Sequence, residues 1–125
     1  MLVFKLMISQ RAAEELKKLG YVVKINEEVI GVSGVNHRIP LLVINPKNEN
    51  KVGVHLDDGS NELILLKLFS IYVDTGIRQL LISKKKSVFK GVEVVNVKNP
   101  SELVDIIVDR LESPPQYKNL LTKTY

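Results

Sequence analysis

Between Glu28 and Asp58 the chain alternates apolar and polar residues over two stretches separated by tight-turn residues, and this pattern constrains the fold most. A period of two is what a strand with one buried face requires. Tyr21–Ile25 begins a strand that resumes around Val29–Val32. Ser33-Gly34 supplies the turn, and Arg38–Ile44 returns antiparallel. Asn45-Pro46 ends that strand, because proline has no N–H to continue a ladder. After a polar connector from Lys47 to Lys51, Val52–Asp57 alternates again, with Val52, Val54 and Leu56 on one face and Gly53, His55 and Asp57 on the other. Three strands in succession make a meander whose apolar faces need helices.

The flanking segments supply them. Ser9 is read as the N-cap of a helix from Gln10 to Leu19 that stops at Gly20, burying Ala12, Ala13, Leu16 and Leu19 and leaving Glu14, Glu15, Lys17 and Lys18 wet. Met1–Ile8, interrupted by Lys5, lacks a small-residue cleavage site and is far shorter than a membrane span, so it is read as an ordered lead-in. A second helix is expected from Glu62 to Thr75, closed by Gly76. Its polar residues Lys67, Ser70 and Asp74 form one narrow stripe. A helix apolar almost all round is buried on two sides, which predicts a homodimer through residues 62–75. Arg78–Ser83 then runs parallel to Val52–Asp57 after a right-handed crossover. Val92–Lys98 is expected antiparallel to it, the connection being too short for a helical crossover. Asn99-Pro100-Ser101-Glu102 is a helix start with capping Asn, Pro at the first helical position and Glu three residues after the cap; Leu103, Ile106, Ile107 and Leu111 form its buried stripe. Pro114-Pro115 ends it, and residues 114–125 form a basic tail. The sum is a single domain over residues 1–113, an α/β fold of three layers, α/β/α, around a mixed sheet of about five strands.

Composition narrows the function classes. The 125 residues suit one domain, and 45% hydrophobic with 26% charged residues excludes a disordered chain. The absence of cysteine excludes disulfides and cysteine zinc sites and fits a cytoplasmic protein. A net charge of +4 permits a polyanionic partner. Lys84, Lys85 and Lys86 with Lys90 are the densest positive stretch and the candidate nucleic-acid contact. Phe89 is the one aromatic inside it, too little for a base-stacking platform. Gly31, Gly34 and Gly59 do not form a phosphate-cradling loop, and no Ser-His-Asp order with a nucleophile elbow occurs.

The element order, the run GVSGVNHRIPLL from Gly31 to Leu42 and the strand VGVHLDDG resemble the restriction-endonuclease-like superfamily, the PD-(D/E)xK nucleases, especially small archaeal Mrr-like or Holliday-junction-resolvase-like members. The resemblance spans about residues 9–112. It implies an Asp opening the second strand and a Glu-x-Lys triplet on the third, two carboxylates holding a divalent cation and the Lys polarising water. Position by position, the Asp slot holds Pro40, the Glu slot His55 and the Lys slot Asp57, while Glu14 or Glu15 could supply a helix carboxylate. The resemblance implies the frame of a nuclease with its usual catalytic set replaced.

A rebuilt metal site could draw on His37, His55, Asp57 and Asp58. His55 and Asp57 share a strand face, and imidazole with carboxylate suits Mn²⁺ or Zn²⁺ better than Mg²⁺. Against it, Asp57-Asp58-Gly59 is also an ordinary turn and helix-start sequence, and His37 could simply brace the hairpin. The leading expectation is a non-catalytic nuclease-fold protein with no cofactor that binds DNA or serves as an accessory subunit. Its rivals are a metal-dependent endonuclease with an altered site, using Mg²⁺ or Mn²⁺, and a structural partner of an active paralogue.

Overall fold

Three helices and six strands alternate along the described part of the chain, a computed structural model that describes residues 2–59, 62–84, 88–89 and 91–113. They are α1 (Leu2–Lys18), β1 (Val22–Ile30), β2 (Asn36–Ile44), β3 (Lys51–Leu56), α2 (Ile64–Thr75), β4 (Arg78–Ile82), β5 (Val88–Phe89), β6 (Val92–Val95) and α3 (Pro100–Glu112). The strands form one mixed sheet in the order β1-β2-β3-β4-β6-β5. Helices α1 and α3 pack together on one face, over a core of Ile8, Ala12, Leu16, Val43, Val52, Val54, Leu80, Leu103, Ile107 and Leu111. Helix α2 lies on the other face, chiefly against β4 and β6, with Leu68 and Ile71 packed beside Leu42, Leu81 and Val92. The α/β sandwich around a mixed sheet is the one expected. The tail 114–125 lies outside the described residues.

Helix α1 starts at Leu2, so Met1–Ile8 is not a lead-in and Ser9 is not a cap. Ile8 is buried in line with Ala12 and Leu16, one four-residue row along the helix, and Lys5 Nζ donates to the Asp57 carbonyl at 2.7 Å. Burial of Ile8 outweighs the local capping preference of Ser9. At the far end the Gly20 stop is as expected, but the helix ends at Lys18 and Leu19 is exposed rather than buried. Gly20, at φ 99°, closes a Schellman motif in which Tyr21 N–H bonds the Leu16 carbonyl (3.1 Å) and Gly20 N–H the Lys17 carbonyl (3.0 Å). Helix α2 starts at Ile64 rather than Glu62, and its N-cap residue Leu63 makes no side-chain capping bond.

The pairing of β6 with β4 is parallel, correcting the antiparallel expectation. The chain leaves β4, returns along the two-residue strand β5 at the sheet's outer edge, and enters β6 between the two, antiparallel to β5. No helical crossover is needed, because the return path is itself a strand. Val88-Phe89 is too short to show a period. The turn back into β6 depends on Gly91, at φ 77° with the Tyr72 ring where a Cβ would stand.

The β1–β2 hairpin bends in the middle. Its register runs through Ile25–Leu41 to Glu27–Ile39 and omits only the rung between them, where Asn26 faces Pro40. Asn26 has φ 49°, and the proline ring holds φ far from antiparallel-strand values. In an undisturbed strand residues 39, 41 and 43 share a face. Here Leu41 and Val43 join the α1–α3 core, while Ile39 and Val29 join the α2 core. The distal half of the hairpin, residues 27–39, is thereby turned over the α2 side of the sheet. Gly53 shows how closely: β2 residue Leu42 is its paired partner, yet a Cβ on Gly53 would come within 3.0 Å of Ile39 Cγ2 and 2.7 Å of Gln79 Oε1.

The connector from Asn45 to Asn50 caps α3. Asn45, Asn48 and Asn50 each direct a side-chain amide at the Leu111 carbonyl (3.2, 3.1 and 2.9 Å), and Asn50 also donates to the Ser113 carbonyl at 2.6 Å. These are the carbonyls that a helix C-terminus leaves without partners. At the other end of α3 the expected cap forms, Asn99 Oδ1 accepting from Glu102 N–H at 3.0 Å.

Candidate functional site

His55 lies on the α2 side of β3 and is only 4% exposed. Its Nε2 donates to Gln79 Oε1 at 2.5 Å, and Gln79 Nε2 donates to the Ile77 carbonyl at 2.8 Å. A carboxamide oxygen only accepts, so this bond places a proton on Nε2. Burial pushes the His55 pKa down to about 4; the Gln79 bond opposes that shift and the Lys67 charge adds to it. Gln79 itself is 1% exposed in the strand Arg78–Ile82. Pro40, in the expected Asp position, is exposed one residue beyond the last β2–β3 rung, Leu41–Val54. Its side chain carries no donor or acceptor.

Asp57 follows at the C-terminal end of β3. Its Oδ2 accepts from Ser83 Oγ at 2.8 Å and its Oδ1 from Gly59 N–H at 2.9 Å, while its backbone N–H reaches the Ile82 carbonyl at 3.0 Å. This carboxylate ties the end of β3 to the end of β4. Asp58 is exposed beside it, and Lys84, also exposed, follows Ser83. Lys85, Lys86 and Lys90 lie outside the described residues. Glu14 and Glu15 are exposed on α1, across the sheet from His55. Glu14 sits nine residues along the helix from Lys5, which touches Asp57, a rise of about 13 Å. The structure does not bring it to Asp57.

His37 is not beside His55 or Asp57. Its Nε2 lies 2.6 Å from Asp74 Oδ2, near the C-terminal end of α2. Asp74 also accepts from Ser33 Oγ at 2.6 Å and Ser33 N–H at 2.8 Å, and its backbone carbonyl accepts from Val32 N–H at 3.0 Å. The Ser33 hydroxyl, then His37, then the Ser33 amide hold its carboxyl down to about 2. A Cβ on Gly31 would fall 2.0 Å from Asp74 Oδ2, so the hairpin tip approaches α2 as closely as glycine permits. Carboxylate, not imidazole, is the middle member of this trio. With its pKa held near 2 that carboxylate is too weak a base to take the Ser33 proton, and the cluster fastens the hairpin rather than activating a nucleophile.

Asp74 and Gln79 were missed at the sequence level, though each left a signal. An acid two residues before a helix-ending glycine opposes the helix dipole unless something else engages it. A glutamine inside an otherwise apolar parallel strand needs a buried partner. The residues in the nuclease slots do not fit a two-carboxylate metal site: His55 is turned into Gln79 and Asp57 bridges strand ends. Among the described residues no group of three or more His, Asp or Glu is placed to hold a metal ion. Among them, too, no helix is long and apolar enough to cross a membrane. Comparison with protein-family models, curated proteins and solved structures returns no match.

Proposed function

We propose that this chain is a cytoplasmic binding protein with a restriction-endonuclease-like frame, which engages nucleic acid without cutting it and pairs with a second copy through α2. The observation that carries the reading is His55. In the slot where a nuclease keeps a metal-binding acid, this ring is buried, neutral and bonded to Gln79, and the Asp slot holds apolar Pro40. The basic stretch Lys84–Lys86 with Lys90 is the source of phosphate contacts in this reading, Lys84 following the C-terminal end of β4. Support for pairing comes from the outward stripe of α2, where Leu63, Leu66 and Val73 are exposed around Ser70.

The test is incubation with supercoiled, single-stranded and branched DNA in Mg²⁺ and in Mn²⁺, beside an Asp57→Ala, Asp58→Ala double variant. Binding without cutting, weakened by salt and by Lys84→Ala, Lys85→Ala, Lys86→Ala, is the expected result. Metal-dependent cutting lost in the aspartate variant would replace this reading with an altered-site endonuclease. No binding at low salt would replace it with a structural partner of another protein.

A further inference from the structure

We infer that residues 27–39, the distal half of the β1–β2 hairpin, form a hinged flap that is latched to the end of α2 and covers the His55–Gln79 pair. The hinge is the Asn26–Pro40 rung, where the ladder is interrupted, one residue has positive φ and both strands change their inward face. The latch is Asp74, which gathers Ser33 Oγ, Ser33 N–H and His37 Nε2 within 2.8 Å, with Val32 N–H bonded to its carbonyl. The cover is Ile39. Helix α2 packs chiefly on β4 and β6, so on this side of β3 the ground above Gly53 falls to the hairpin. Ile39 Cγ2 and Gln79 Oε1 both close on the point where a Gly53 Cβ would stand.

A hairpin that were merely an extension of the sheet would need neither the break at its middle nor a polar fastening at its tip. Break, fastening and cover together make a unit that can lift while the α1–α3 core stays closed, since its inward residues Val29 and Ile39 belong to the α2 core alone. Lifting would bring His55, Gln79 and the backbone at Gly53 to solvent: a ring donor and acceptor, a carboxamide and an open strand surface. The flap is independent of whether the protein binds nucleic acid.

Two measurements on the full chain decide it. In native-state hydrogen exchange, the β1–β2 amides from 27 to 39 should exchange at least tenfold faster than those of β3 and β4, and Asp74→Ala should accelerate them a further tenfold while α1 and α3 are unchanged. Because the chain has no cysteine, a single thiol also reports opening. The thiol of Ile39→Cys should be labelled by a maleimide at least tenfold faster than that of Ala12→Cys, although both positions are 0% exposed. Uniform exchange and equal labelling, or an Asp74→Ala effect spread evenly over all elements, would overturn the flap.

Discussion

The His55 ring is neutral in the folded protein and titrates near 4, against 6.5 when exposed. Between these values the unfolded chain holds a proton that the folded chain does not, so stability rises with pH across this window and is lost as pH falls through it. The full difference is about 3 kcal/mol. Urea midpoints at pH 7, 5.5 and 4 should fall more steeply for the native sequence than for His55→Gln, the gap giving this residue's share. Asp74 acts in the same direction but at lower pH: its contribution is present above the unfolded value of 3.8 and lost as pH falls to about 2, so the latch holds throughout the His55 transition. Gly53→Ala should destabilise by about 1–3 kcal/mol, because its Cβ meets both Gln79 and Ile39, and thermal melting measures it. His55 was legible in the sequence as the polar member of an apolar strand. Its partner was not, since Gln79 stands 24 residues away and only the parallel pairing of β3 with β4 brings the two together.

At the scale of elements, β3 and α3 follow their local signals and α1 and β6 do not. The alternation of β3 and the Asn99-Pro100 start of α3 are decided within a few residues. The start of α1 is decided by where Ile8 can be buried, and the direction of β6 by a two-residue strand whose pairing lies at the sheet edge. The asparagine-rich connector is an intermediate case. Its composition marks a turn, but the carbonyls it serves belong to a helix over sixty residues later. Asn50→Ala removes two bonds to the end of α3, and Asn45→Ala removes the buried bond to the Leu111 carbonyl together with those to the Glu112 carboxylate and from Lys47 N–H. Each should cost about 1–2 kcal/mol, measured as a fall of roughly 3–6 °C in Tm.

For the whole molecule, the surface that bears on assembly is the outward side of α2. Its sheet-facing side is filled by Leu68 and Ile71, the hairpin fastens to its last turn, and Leu63, Leu66 and Val73 remain outward. If a second copy covers them, sizing at two concentrations an order of magnitude apart gives a dimer, and Leu66→Glu gives a folded monomer. A monomer at both concentrations in the native sequence refutes the pairing. The amino-acid sequence by itself determined the α/β class, the meander, the alternating faces of β3, the N-cap of α3 and the Gly20 and Gly76 stops, because periodicity, capping and turn chemistry act over a handful of residues. Only the tertiary structure decided that Asn26 and Pro40 meet and bend the hairpin, that Asp74 fastens it, that Gln79 takes the His55 proton donor, and that β6 runs parallel to β4. Each of those joins residues distant in the chain, and distance along the chain is what local signals cannot cross.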